Sequence, residues 1–164
     1  QAVRDLRKPL VAALNGTTTG AGFQLALMAD LRVAHAGIRL GQPEVKAGLA
    51  SIVGSYLMSL QIGHSLNQQL SLTGELIDGQ RAHQIGLVNE LVAADAVLPR
   101  AVSAARALAN LPATAFRVTK RRFRDRTQAG FDEACLAAVR YQVECFASGE
   151  PQRVMRAFLA RRRP

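Results

Sequence analysis

The twenty-five residues from Leu10 to Ala34 leave this chain few folds to choose from. LVAAL, just after Pro9, is a short apolar run of the length that suits a buried strand. Asn15-Gly16 ends it with turn chemistry. The polar, small segment TTTGAG follows, and GFQLALMADL is then apolar at nearly every position. That pattern predicts a buried helix starting near Ala21, entered through loose glycine-rich backbone. LRVAHA and IRLG then read as short strands split by Gly37. Short strands thus mix with helices in this stretch, the make-up of an α/β chain.

Beyond Gly41 the pattern turns helical, with helices expected over 52–62, 64–73, 79–86, 95–110, 112–125, 130–147 and 150–161. VNELV, at 88–92, reads as a brief strand, and the opening QAVRDLR as the tail of a helix. Pro112, Gly130 and Gly149-Glu150-Pro151 punctuate the last helices. Two organisational parts result: residues 1–93, mixing strands and helices, and residues 94–164, all helical and basic. Val97, Leu98, Val102, Ala105 and Leu108 make one apolar stripe at helical spacing. Phe131, Cys135, Ala138, Val139, Val143 and Phe146 make another, and both are read as core or partner-helix surface.

With 164 residues there is room for one domain with an ordinary core. No apolar run approaches the roughly 18 residues that a membrane-spanning helix needs. QAVRDLRKPL lacks the apolar centre and small-residue cleavage site of a signal peptide. Cys135 and Cys145, the two cysteines, lie ten apart on one expected helix, too far for a disulfide and without metal-ligand spacing. We read both as core residues in a reducing, cytoplasmic setting, and expect no metal site.

The formal net charge is +9, and it is uneven. Residues 1–116 hold nine Lys/Arg against seven Asp/Glu, whereas residues 117–164 hold twelve against five. Such a basic last third suits an anionic partner or a solvated helix face. Its main run, VTKRRFRDR, contains a single aromatic, so it makes a poor stacking platform and nucleic acid is not the expected partner.

Two places could carry chemistry. Gly20-Ala21-Gly22 opens the buried helix, where small residues let backbone N–H groups reach a ligand and polarise an oxygen turning negative. The segment does not fit a dinucleotide fingerprint, because Leu25 stands where the third glycine belongs. Glu44, in LGQPEV, sits on a loop stiffened by Pro43 and could act as a general base or acid. His35, His64 and His83 are scattered and read as structural. Ser51, Ser55 and Tyr56 follow Glu44 closely, but nothing marks any of them as an activated nucleophile.

Taken in order, KPLVAALNGTTTGAGFQLALMADLRVA, LGQPEVKAGL and LTGELIDGQRAHQIGLVNELV resemble the crotonase superfamily, the enoyl-CoA hydratase/isomerase family. The family's pattern falls on Lys8, Pro9, Ala12, Asn15, Gly16, Gly20, Gly22, Asp30, Gly41, Pro43, Glu44, Thr73, Gly74, Ile77, Ala82, Gly86, Leu87 and Val88. The match is strong over residues 8–92 and weaker in the last helices, through MRAFLARRR. It implies a spiral of ββα turns, followed by C-terminal helices that assemble a homotrimer or a dimer of trimers. It also implies an acyl-CoA thioester substrate and no cofactor beyond the CoA of that substrate.

The resemblance assigns roles residue by residue. One oxyanion-hole N–H falls on Ala21, flanked by Gly20 and Gly22 at the substrate, and the second donor belongs to a segment upstream of this chain's first residue. The family's two catalytic carboxylates fall on Gln24 and Glu44. A glutamine hydrogen-bonds water but cannot take its proton, so the pair favours isomerase chemistry, with one carboxylate shuttling a proton, over hydration. Relatives with other site residues include decarboxylases, hydrolases and dehalogenases. Ala50 stands where many members have Pro, in a loop that lines the acyl pocket. Lys and Arg within 117–126, or Lys8, are candidates for the CoA phosphates. The competing expectations are a hydratase working with Gln24 in place, and a truncated, non-catalytic CoA-binding or oligomerisation module.

Overall fold

In the computed structural model, which describes residues 1–161, the first apolar run is strand β1 (Val11–Leu14). The glycine-rich segment forms a two-residue strand, β2 (Thr18–Thr19), which leads directly into helix α1 (Gly20–Leu27). The order then repeats. Strands β3 (Leu31–Ala34) and β4 (Arg39–Gly41) precede a 3-10 turn at Glu44–Ala47 and the helices α2 (Val53–Ile62) and α3 (His64–Thr73). A last, shorter round has β5 (Ile77–Asp78), α4 (Gly79–Gln84) and β6 (Glu90–Leu91).

Successive rounds stack on one another. β1, β3 and β6 pair in parallel as one sheet, and β2, β4 and β5 form a second, in which β5 runs antiparallel to β4. This is a coil of strand–strand–helix turns. The first sheet is covered on both faces, as its unbroken apolar strands require. Leu14 and Ala34 enter the main core with Phe23, Leu40, Met58 and Leu87. Val33 points the other way and packs with Val97 and Ala101, against Val11 and Ala13.

A buried arginine ties the rounds together. Arg32 donates from Nε to the Leu87 carbonyl at 2.7 Å and from Nη1 to the Ala29 carbonyl at 2.9 Å, and its own N–H donates to Asn89 Oδ1 at 2.8 Å. Burial pushes its pKa down, and Asp30 nearby opposes that shift.

Helices α5 (Val97–Ala109), α6 (Ala113–Ala147) and α7 (Glu150–Ala160) complete the described chain. Several sequence expectations change here. The opening segment forms a single turn, in which the Asp5 N–H donates to the Gln1 carbonyl at 3.1 Å. Gly130 does not divide two helices, because α6 runs unbroken through it. In α5 the buried face is Val97, Ala101 and Ala104, while Leu98 and Val102 are exposed. The alanines permit close approach to β1 and β3, which larger side chains would prevent. The α6 stripe also splits: Phe131 is buried and Cys135 packs on the core, but Val139, Val143 and Phe146 face outward. Both cysteines are free and half-buried.

Candidate active site

Helix α1 is not buried all round. Phe23, Ala26 and Leu27 enter the core, whereas Ala21, Gly22 and Leu25 are exposed. Its first N–H groups have no intrahelical partner, and Thr19 before them supplies no side-chain cap. The helix therefore presents free donors, reinforced by its dipole, at an open end. Gly20 makes that end possible. Its φ is +54°, in the left-handed region, and a Cβ there would stand 3.3 Å from Glu44 Oε1. Gly22 has open space where a side chain would be, so the approach to the Ala21 N–H is unobstructed.

Glu44 reaches the same place from the next round of the coil. It opens the 3-10 turn after β4, and its carbonyl accepts the Leu49 N–H at 3.0 Å. Gly48, at φ +76°, closes the turn and lies against Glu150 and Pro151 at the start of α7. Gly74, after α3, packs on Val45 and Lys46. The turn is thus held from two sides by other elements, which fixes where its carboxylate points.

Two carboxamides attend that carboxylate. Gln24, one turn into α1, donates from Nε2 to Glu44 Oε1 at 3.4 Å. Gln42 is 0% exposed. With its nitrogen turned toward Glu44, its amide donates to Oε1 at 2.6 Å and to Oε2 at 2.9 Å. Burial pushes the Glu44 pKa up, and hydrogen bonds from the backbone and from Gln24 oppose the shift. A carboxylate with a raised pKa beside free N–H donors can move a proton next to an oxygen that becomes negative. Among the described residues, no second carboxylate is hydrogen-bonded to it.

Gln42 is the member of this cluster that sequence reasoning missed. Its neighbours in LGQPEV drew attention to Glu44, and a glutamine ahead of a proline carries no signal of its own. Only the structure shows that Gly54 makes its room, since a Cβ there would overlap the Gln42 amide.

The other candidates lie elsewhere. The His35 ring nitrogen faces the Asn15 carbonyl at 3.4 Å, and His83 Nδ1 faces the Val88 carbonyl at 3.1 Å. Tyr56 donates its hydroxyl to the Thr127 carbonyl at 2.7 Å, and Ser55 accepts from Asn67 at 3.5 Å. No group of three potential metal ligands forms among the described residues, and no described helix is long and apolar enough to cross a membrane.

Four basic residues of α6 gather with two from the opening segment near Asp30, just past the C-terminal end of α1. There Arg4, Arg7, Arg117, Lys120, Arg121 and Arg124 line a cavity of about 200 Å3. Lys120 pairs with Asp30 at 2.7 Å and also donates to the Lys8 carbonyl, while Arg124 pairs with Asp5 and Asp125. Arg7, Arg117 and Arg121 carry no ion pair among the described residues.

The model of the enoyl-CoA hydratase/isomerase family matches residues 1–164. The chain is 33% identical over 160 residues to a probable enoyl-CoA hydratase of Mycobacterium leprae, covering 97% of this chain and 62% of the relative. It is 36% identical over 121 residues to the carboxymethylproline synthase of Pectobacterium carotovorum, covering 74% of this chain and 48% of that one. The crystal structure of an enoyl-CoA hydratase/isomerase from Pseudoalteromonas atlantica superposes with a TM-score of 0.90 at 26% identity, over 99% of this chain and 66% of the other. The chain thus spans less than two thirds of the length of these relatives.

Proposed function

Because the chain belongs to the enoyl-CoA hydratase/isomerase family, we propose that Glu44 is the single acid–base group of an enzyme that shifts the double bond of an enoyl-CoA thioester. The thioester carbonyl oxygen accepts a hydrogen bond from the Ala21 N–H at the open end of α1, between Gly20 and Gly22. Glu44 takes a proton from Cα of a 3-enoyl-CoA, and the electron pair of the broken C–H bond delocalises onto the carbonyl oxygen as an enolate. The same carboxyl returns the proton to Cγ. The double bond moves to the 2-position, and Glu44 is again ionised. Gln24 orients the substrate or a water.

The observation that carries this reading is that both side chains reaching the Glu44 carboxyl are carboxamides. Neither can exchange a proton with substrate, so the chemistry best suited to the site uses one carboxyl twice. The test is conversion of a 3-enoyl-CoA to its conjugated 2-isomer by the protein that carries this chain. Glu44→Gln should abolish it, and unchanged turnover would refute the reading.

A second reading is hydration of a 2-enoyl-CoA, favoured by the name of the Mycobacterium leprae relative. There Gln24 would hold the water while Glu44 both activates it and supplies the proton to Cα. The same preparation assayed on both substrates separates the two readings by which thioester turns over faster. The carboxymethylproline synthase relative bears a name outside both, as befits a fold that hosts many reactions.

The outward apolar residues of α6 and α7 support assembly as a homotrimer or a dimer of trimers. Arg117 and Arg121, within the basic run, are the cations best suited to the phosphates of CoA. A cytoplasmic site of action fits the two free cysteines.

A further inference from the structure

Gln42 is an unusual group to find at the base of a proton-transfer site. It is fully buried, and the space its amide occupies exists because residue 54 is glycine, where a Cβ would overlap that amide. A polar side chain fully enclosed in this way must find hydrogen-bond partners, or the fold bears the cost of stripping it of water. The partner it has is the Glu44 carboxyl.

The surroundings settle which way the amide is turned: with its oxygen toward Glu44, that oxygen would face only acceptors and the nitrogen only donors. With the nitrogen toward Glu44, the amide donates at 2.6 Å to Oε1 and 2.9 Å to Oε2, which suits an ionised carboxylate.

We propose that Gln42 is a positioning residue that holds the Glu44 carboxylate in one orientation, its buried amide donating to both carboxylate oxygens. This rests on the reading of Glu44 as the acid–base group. A proton shuttle must alternate between acid and base without the carboxyl swinging away from the two carbons it serves, and a donor that meets both oxygens from a closed site fixes that aim. Among the described residues, no charged side chain is ion-paired or hydrogen-bonded to Glu44; Arg39 on β4 donates to the Leu76 carbonyl, and Tyr56 on α2 to the Thr127 carbonyl. Helix α1 carries no titratable side chain, and α3 has only His64, exposed at its far end. On the turn itself Lys46 lies against Gly74, and at the start of α7 Glu150 pairs with Arg153.

The test uses Gln42→Met, which keeps the volume but can neither donate nor accept, and Gln42→Glu, which keeps the shape and adds a second acid. Both are measured with the protein that carries this chain, with thermal melting to show that it folds. For Gln42→Met we expect kcat to fall on the order of tenfold or more, with little change in KM. The acid limb of the kcat/KM profile should also move to higher pH, because the ionised form loses its donors. Gln42→Glu should move that limb further, since two acids at this distance share a proton. Gly54→Ala, which displaces the amide without touching Glu44, should copy Gln42→Met, and the double variant should lose no more than either single one. Unmoved pH limbs and unchanged kcat in the folded variants would overturn the proposal while leaving Glu44→Gln inactive. Turnover that survives Glu44→Gln would instead overturn the function on which it rests.

Discussion

Gly130, in the middle of the 35-residue helix α6, lies directly against the ring of Tyr56 on α2. A Cβ at residue 130 would come within 2.8 Å of that ring, whose hydroxyl is anchored on the Thr127 carbonyl one turn earlier. The glycine is therefore a packing device that lets two helices touch. An alanine here would gain about 1 kcal/mol of helix propensity. It would also force the ring off its anchor, at a cost of about 1–3 kcal/mol for overpacking. We predict that Gly130→Ala lowers the melting temperature, and that Gly130→Ala combined with Tyr56→Leu recovers part of the loss. A rise in melting temperature for the single variant would show that the contact is loose enough to yield.

Arg32 should be among the least replaceable residues of the coil. Its guanidinium satisfies the carbonyls of Ala29 and Leu87, one on the loop before β3 and one just ahead of β6. Arg32→Met keeps the length of the side chain but leaves both acceptors buried without a donor, at about 1–3 kcal/mol each. Urea unfolding should show that loss as a lower midpoint with an unchanged slope.

Glu44 should weaken the fold that carries it. Its pKa is raised in the folded state, so the native protein binds the proton more tightly than the unfolded chain does. Stability linked to this group is therefore highest at low pH and declines as the pH rises from the ordinary glutamate value through the raised one. Glu44→Gln removes the ionisation. We predict that this variant melts at a higher temperature than the parent at neutral pH, and that the difference narrows as the pH falls through the same window. A gap that is constant with pH would mean the carboxyl is no more costly to ionise in the fold than outside it.

How far the sequence could be read depended on whether the relevant contacts were local. β1, α1, β3 and β4 were legible because each declares itself within ten residues, by an apolar run closed with turn chemistry. Glu44 and Gly20 stood out by loop and helix-start chemistry and Gln24 through the resemblance, and the structure brings these three side by side. β2 and β5 were not foreseen. Two-residue strands have no periodicity to detect and exist only because β4 lies between them. Gly130 was misread as punctuation because the ring that requires it is 74 residues away. The α6 stripe was misjudged for a related reason, since spacing identifies an apolar face but not which part of it the body of the protein covers.

The part left uncovered bears on the proposed assembly. Leu136, Val139, Val143 and Phe146 follow one another along the outer side of α6, and Leu136 is 74% exposed. They stand opposite Ala134, which is buried against the core. Replacing both Leu136 and Val143 with Glu should leave the secondary structure intact while lowering the mass found by sedimentation toward that of a single subunit. An unaltered mass would remove this stripe from the assembly surface and return it to the class of solvated apolar patches.

Restoring a second carboxylate is the most direct probe of the reaction itself. Gln24→Glu places an acid where an amide now donates to Glu44 Oε1 at 3.4 Å. Two effects follow, of opposite value for the two chemistries. Loss of the donor and addition of a like charge both raise the Glu44 pKa further, so the base is ionised over a narrower range and proton abstraction from a 3-enoyl-CoA should slow near neutral pH. For water addition the new acid supplies what the amide cannot, a second group able to accept and deliver a proton, and contributions of that kind run to about 10²–10⁴-fold. We therefore expect Gln24→Glu to lower isomerisation and raise hydration of a 2-enoyl-CoA, with the acid limb of both profiles moved to higher pH. A fall in both activities would mean that the open face at Gly22 and Leu25 does not admit a water to the new carboxylate. The choice between the two reactions would then lie in the shape of the pocket and not in the identity of residue 24.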